Sequence, residues 1–242
     1  MIQVSDAECA LFRHNGFLKF ENVFDDETLL AARAELSEAM DSVAESTGSP
    51  RAKLYGIYQR SRAARALAED PRLLGILRGL LGPNIRLVLN RHNHVSINDR
   101  QSAEPRLHRD ILHWSRGLVT VIVYLDDSRV DNGCTNVVPG SHLLPFVGVT
   151  QVDPPGGGTW MDEHPVYGAA HRQAIPIEVS AGGVLIFDGT LFHSVGANTS
   201  PDTRMSLALG FVADDELDAR TVVGESLMVA GESLYRGNPV PE

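Results

Sequence analysis

From Ile85 onward the chain is cut into short apolar or β-branched runs, and this texture limits the possible folds more than any other feature of the sequence. The runs are IRLVLNRHNHVSI, RLHRD, LVTVIVYL, CTNVVP, AIPIEVS, GVLIFD, LFHSVG and RMSLALGFV, separated by Gly, Pro, Asn and Asp. Eight candidate strands of this length must close their edges or cover them, which points to a double-sheet barrel or jelly roll. The first 83 residues read differently. In DDETLLAARAELSEAMDSVAEST, Leu29, Ala32, Leu36, Met40 and Val43 recur at three- and four-residue steps, with Asp25 placed to cap and Asp26 and Glu27 in the first turn. A second helical stretch, Arg62 to Leu81, is split by Asp70-Pro71 and ended by Gly82-Pro83. The expected fold is therefore mainly β with N-terminal helices, a double-sheet barrel or jelly roll whose helices pack outside one sheet. No low-complexity linker divides it, so residues 1–242 are expected to form a single domain with a helical part (1–83), a β core (84–213) and a tail (214–242).

Composition excludes several classes of function. With 21 Lys and Arg against 31 Asp and Glu, the net charge is -10 and the cations are scattered, which argues against nucleic acid as a partner. No run approaches the ~18 apolar residues of a membrane span. The start, MIQVSDAECALFRHNGF, also lacks the basic and apolar regions of a secretion signal, so a cytoplasmic location is expected. Cys9 and Cys134 form no ligand spacing. A small-molecule substrate is the default partner, and no obligate protein partner is indicated.

The chemistry concentrates in PRLHRDILHW. Alternate residues of a strand share a face, so His108 and Asp110 would project together while Leu107 and Arg109 face away. Alone, the pair could equally be a surface charge pair. Its weight comes from GGVLIFDGTLFHSVGANTSPDTRMSLALGF, where His193 lies on an apolar strand and Arg204 and Ser206 open the next one after a polar turn. A hairpin there would put Arg204 beside the His193 strand. Two His and one carboxylate form the facial triad of non-heme Fe(II) oxygenases, which leaves three positions open. A 2-oxo acid would fill two of them and O2 the third, and the distal carboxylate of that acid needs a planar cation such as Arg204.

HRD, DNGCTNVVPGSH and FHSVGANTSPDTRMS, with FRHNGFLKFENVFDDETLLAARAEL at the start, together resemble the phytanoyl-CoA dioxygenase (PhyH) family of Fe(II)/2-oxoglutarate-dependent oxygenases over roughly residues 10 to 212. The resemblance implies a double-stranded β-helix core (jelly-roll, cupin-like) with the helices on one sheet, iron held by His108, Asp110 and His193, and 2-oxoglutarate held by Arg204 with help from Ser206 and, at a hydroxyl-bearing strand position, Thr120. It implies Trp114 as an aromatic wall of the substrate pocket. Related halogenases replace the carboxylate with a small residue, so Asp110 implies hydroxylation-type chemistry.

Other polar residues have plainer readings beside functional ones. Asn90, His92, His94 and Ser96 form an alternating row in LNRHNHVSIN, either a solvated face or, as the resemblance favours, the lining of the substrate cavity. His92-x-His94 also admits a different metal cupin, or a non-catalytic ligand-binding barrel. His142 reads as structural after a Pro-Gly turn, and His113 faces away from the pair at 108 and 110. His14 reads as a surface residue and Cys134 as a small packing residue. The Gly/Pro-rich stretch at 150–172, with His164 and His171, reads as a flap over the site.

Overall fold

The computed structural model describes residues 2–48, 52–100, 107–111, 117–144, 168–216 and 225–233. Trp114, His113, His164 and the flap up to residue 167 lie outside the described residues, as does the side chain of His171. Among the described residues, no helix is long and apolar enough to cross a membrane.

The helices begin where the sequence places their caps. α1 (Asp6–Asn15) opens on a capping box between Ser5 and Glu8, and α2 (Asp26–Thr47) opens on Asp25, whose carboxylate accepts the Thr28 N–H at 2.9 Å. Leu29, Ala32, Leu36 and Met40 form the buried stripe of α2. A short α3 (Ile57–Arg60) leads into α4 (Arg62–Ala68). α5 (Pro71–Leu81) then starts on the Asp70 cap with proline at a position whose N–H would have no partner in any case.

The described residues form eleven strands, in chain order β1 (Phe17–Phe20), β2 (Lys53–Tyr55), β3 (Ile85–Val88), β4 (His94–Asn98), β5 (Val119–Tyr124), β6 (Thr135–Val137), β7 (Ile175–Ile177), β8 (Val184–Asp188), β9 (His193–Val195), β10 (Arg204–Ala213) and β11 (Ser226–Ala230). The larger sheet runs β1-β8-β5-β10-β3-β11, with β4 also on β10 and β2 on β4; the smaller runs β7-β6-β9. Every named pairing is antiparallel.

Strand alternation gives the larger sheet two different faces. Val119, Val121 and Val123, Val184 and Ile186, and Met205, Leu207, Leu209 and Phe211 share one apolar core with the helices. Their neighbours Tyr124, Leu185 and Phe187 pack instead with Val137 and Leu191 toward the smaller sheet. Each fully buried side chain of the helix-facing layer contributes about 1.5–3 kcal/mol, whereas a half-exposed ion pair such as Arg33–Asp126 contributes about 0–1 kcal/mol. Apolar area therefore holds the helices to the sheet and leaves the opposite face available for polar groups.

The structure corrects four expectations. IRLVLNRHNHVSI is not one strand: it turns between β3 and β4, with His92 in the left-handed region at φ +55°. The turn exists because α3 docks on it, with Gly56 and Ile57 donating their N–H groups to the Asn93 carbonyl. The Asn90, His92, His94 row is consequently not one face. Of RLHRD, the described residues 107–110 form only an isolated bridge between His108 and His193. β9 and β10 are not a hairpin, since they belong to different sheets, so Arg204 does not stand next to the His193 strand. Finally, the stretches read as helical part and tail supply β1, β2 and β11 to the larger sheet.

His94 faces inward on β4 at 7% exposure, with its ring 5.3 Å from Tyr55 and its Nδ1 without a hydrogen-bond partner. Burial, then the like charges of Lys53 and His92, push its pKa down to about 3 from 6.5. Below about pH 6.5 the unfolded chain therefore takes up a proton that the folded chain refuses, and stability falls as pH drops. Urea denaturation should show this site removing about 2 kcal/mol between pH 8 and 5. The loss should vanish in His94→Phe, and an unchanged pH dependence in that variant would refute the assignment.

Candidate metal centre

His108 and His193 are joined by a pair of backbone hydrogen bonds, His108 N to His193 O at 2.9 Å and His193 N to His108 O at 3.0 Å. This narrow antiparallel contact turns both imidazoles the same way, with ring centroids 4.3 Å apart. Asp110 follows two residues later and is pinned by its successor, because Ile111 donates its N–H to the Gly189 carbonyl at 3.1 Å. A Cβ on Gly189 would stand 2.7 Å from a Leu118 methyl, so any side chain there would have to move Leu118.

The three side chains converge. His193 Nε2 and His108 Nε2 lie 3.4 and 3.8 Å from Asp110 Oδ1, and the donor atoms of all three residues lie within 4.8 Å of one another. Asp110 Oδ2 accepts a 2.6 Å hydrogen bond from the Thr120 hydroxyl. The Asp110 side chain is 2% exposed and that of His108 is 42% exposed, which gives the cluster one closed and one open side.

The protonation chemistry fits a cation at this point. His193 Nδ1 lies 3.0 Å from the Leu191 carbonyl oxygen, so that nitrogen carries the proton and the Nε2 lone pair is aimed at a carboxylate oxygen. Two acceptors facing each other at 3.4 Å need a proton or a metal ion between them. Burial alone would raise the Asp110 carboxyl, but the imidazoles of His92 and His193 outweigh it and hold the group well below the carboxylate range. Burial likewise opposes the charge on His193, yet the Asp110 carboxylate raises its pKa.

Further along the same face, Arg204 is 3% exposed and its Nε has no hydrogen-bond partner. Among the described residues it has no ion pair with a carboxylate; its guanidinium carbon lies 5.6 Å from the centre of the Tyr124 ring. Burial lowers its pKa, the expected response of a desolvated cation. Such a group is costly unless an anion joins it, and a dicarboxylic acid would supply one. Ser206 projects on the same side two residues on, with its hydroxyl 3.3 Å from that of Ser96.

The structure thus brings His108, Asp110 and His193 together and sets Arg204 and Ser206 on the inner face with them. Thr120 is placed on Asp110 rather than toward open space. Asn90 bonds to Glu225, and His94 is buried against Tyr55, so neither joins the cluster. His92 does, with Nε2 2.8 Å from Asp110 Oδ1. Sequence reasoning missed Tyr124, whose hydroxyl shares a 2.8 Å hydrogen bond with Thr135 of the smaller sheet. Its inward parity with Thr120 was the available signal. His142 is structural, its Nε2 lying 3.0 Å from the Arg13 carbonyl oxygen; His14 is exposed and Cys134 buried.

A double-stranded β-helix carrying two imidazoles and a carboxylate at one ion-sized point, with a buried arginine on the same face, defines the class of Fe(II)- and 2-oxoglutarate-dependent oxygenases. The chain belongs to the phytanoyl-CoA dioxygenase (PhyH) family, whose sequence model matches residues 12–206. An ectoine dioxygenase of Halomonas elongata is 28% identical over 227 residues, covering 83% of this chain and 68% of that protein. Among solved structures, the α-ketoglutarate-dependent carbocyclase SnoK from nogalamycin biosynthesis superposes with a TM-score of 0.71 at 22% identity, covering 91% of this chain and 88% of that one. The epimerase SnoN, crystallised with Fe3+, α-ketoglutarate and a nogalamycin compound, superposes with a TM-score of 0.69 at 20% identity over 97% and 94% of the two chains. Iron and 2-oxoglutarate are accordingly the cofactor and cosubstrate of the class.

Thr120→Val leaves the buried Asp110 Oδ2 without its hydroxyl donor. Urea denaturation of the metal-free protein at pH 7 should show a loss of about 2 kcal/mol, the usual cost of losing a hydrogen bond to a charged group. A change below about 0.5 kcal/mol would mean that the bond does not contribute.

Proposed function

We propose that this oxygenase hydroxylates an unactivated C–H bond of a small molecule, an intermediate of specialised metabolism, with release of succinate and CO2. His108, Asp110 and His193 would hold the ferrous ion, and Arg204 with Ser206 the distal carboxylate of 2-oxoglutarate. The observation that carries the reading is Arg204, a buried cation with no carboxylate partner among the described residues, on the same inner face as the His/Asp/His cluster. Iron, 2-oxoglutarate and O2 together supply the oxidant that removes hydrogen from carbon. The chain's own residues bind and orient: Leu191 fixes the His193 tautomer, Thr120 fixes one Asp110 oxygen, and Tyr124 lies against Arg204.

Two observations support the small-molecule substrate and the hydroxylation outcome. The triad keeps its carboxylate, which occupies the position a halide would need. The relatives named above are ectoine dioxygenases and enzymes of nogalamycin biosynthesis, all titled for small molecules. The other reading, a cupin-like binding protein with a different metal or none, finds less support. His92 and His94 are engaged separately: His92 Nε2 lies 2.8 Å from Asp110 Oδ1, and His94 is buried against Tyr55 with its Nδ1 without a partner.

Anaerobically purified protein, given Fe(II) and 2-oxoglutarate and then air, should form succinate, and His108→Ala or His193→Ala should lower the rate at least ~100-fold. Full activity in either variant would remove the triad from this role. Product mass with ectoine and with aromatic polyketides would test the substrate class; turnover of neither, with turnover of a fatty acyl thioester, would overturn it. Arg204→Met should raise the 2-oxoglutarate KM about 100-fold, the loss expected for a buried charge-assisted pair. Its metal-free Tm should not fall, because an unpaired buried cation has been removed. An unchanged KM would remove Arg204 from cosubstrate binding.

A further inference from the structure

Between β3 and β4 the chain turns directly over Asp110. Asn93 anchors the turn: it is buried, its Oδ1 accepts the Tyr58 N–H at 2.8 Å, and its Nδ2 donates to Gln59 Oε1 at 2.7 Å. Arg91 grips the target from the other side, donating from Nη1 to the Asp110 carbonyl oxygen at 3.1 Å. Gly210 leaves room for this approach, since a Cβ there would stand 3.2 Å from the Arg91 carbonyl oxygen. Between these anchors His92 adopts φ +55°, a conformation that a residue with a Cβ takes up only when its surroundings dictate it. The conformation delivers His92 Nε2 to 2.8 Å from Asp110 Oδ1, closer than His193 at 3.4 Å or His108 at 3.8 Å.

We propose that His92 is a positioning residue for the metal centre. A ring nitrogen this near a carboxylate oxygen carries the proton, so His92 donates from Nε2 to Asp110 Oδ1 while the Thr120 hydroxyl donates to Oδ2. With Oδ2 engaged by Thr120 and the carboxylate plane fixed by His92, Oδ1, the oxygen that His193 and His108 face, is the one presented to a metal, and the carboxylate stays monodentate. That matters because a chelating carboxylate would fill one of the three coordination positions that a facial triad must leave open. His92 thereby acts through Asp110, and no contact between His92 and the metal is required. The inference rests on the metal-centre reading of His108, Asp110 and His193.

The test is titration of the metal-free chain with Co(II), followed by its visible absorption, in the native protein and in His108→Ala, His92→Gly and His92→Gln. Glycine accepts the left-handed backbone and removes the donor. Glutamine carries an amide N–H to about the place of Nε2 but offers no imidazole. The expected result is a Co(II) affinity about 10–100-fold weaker in His92→Gly and restored to within about threefold in His92→Gln, the range seen when a partner of a metal ligand is lost. Cu(II) electron paramagnetic resonance should count two imidazole nitrogens in both the native protein and His92→Gln. Native affinity in His92→Gly, with affinity lost in His108→Ala, would overturn the inference while leaving the metal centre intact. Three imidazole nitrogens in the native protein falling to two in His92→Gln would also overturn it, by making His92 a ligand. Native affinity in His108→Ala would overturn the metal centre itself, and the inference with it.

Discussion

One buried carboxylate organises this molecule. Asp110 has a side chain 2% exposed to solvent, and an unpaired ion at that depth costs several kcal/mol. The cost is met only because three other segments bring groups to it, His92 from the turn after β3, Thr120 from β5 and His193 from β9, beside His108 of its own segment. These segments lie far apart in the chain and belong to both sheets. A chain that places Asp110 in the interior must therefore complete the β-helix to satisfy it, and completing the β-helix is what assembles the cluster. Stability and chemistry depend on the same contact, and removing any one donor weakens both.

The larger sheet makes this possible by separating two duties along single strands. On β10, Met205, Leu207, Leu209 and Phe211 face the helices and supply hydrophobic area, while Arg204 and Ser206 face inward and supply polar groups. On β5 the same division sets Val119, Val121 and Val123 against Thr120 and Tyr124. The helical layer is thus the reason that an arginine with no carboxylate partner among the described residues is tolerable on β10. Its burial penalty is offset by area on the opposite face of the same strand, and it does not need to be reduced by a permanent internal carboxylate. Tyr124 connects the two duties, since it closes the gap between the sheets through Thr135 and underlies the Arg204 guanidinium.

Much of this was legible in the sequence because strand parity and capping are local rules. The period of two placed His108 with Asp110 and Arg204 with Ser206, and Asp25 and Asp70 marked their helices correctly. The less legible parts were set by contacts distant in sequence. His92 and His94 differ by two residues and should share a face, but α3 docks on Asn93 and forces the turn at His92, which sends one imidazole to Asp110 and the other against Tyr55. Likewise, nothing within FHSVGANTSPDTRMS distinguishes a hairpin from a crossing between sheets. That choice is made by β6, which takes β9, and by β4 and β5, which take β10. Thr120 was expected to hold the cosubstrate because the family resemblance places a hydroxyl at that strand position, and a strand position alone does not say which inward neighbour the hydroxyl reaches.

The contrast between the two cationic ends of the inner face follows from these same constraints. At one end Asp110 is engaged from within by the Thr120 hydroxyl and the His92 imidazole, and the carboxylate in turn raises the pKa of His193. At the other end Arg204 has no carboxylate partner among the described residues. A metal ion would therefore compete with protons for the nitrogen and oxygen of His193 and Asp110, whereas an entering carboxylate at Arg204 would displace no charged partner among the described residues. Metal uptake is for that reason inherently coupled to proton release, because imidazole must be neutral to ligate. Anion binding at Arg204 is coupled mainly to the removal of water from a planar cation already held in place. An inner face built in this way satisfies its carboxylate from within and leaves its buried arginine without a carboxylate partner among the described residues, the arrangement that the proposed dicarboxylic cosubstrate would complete.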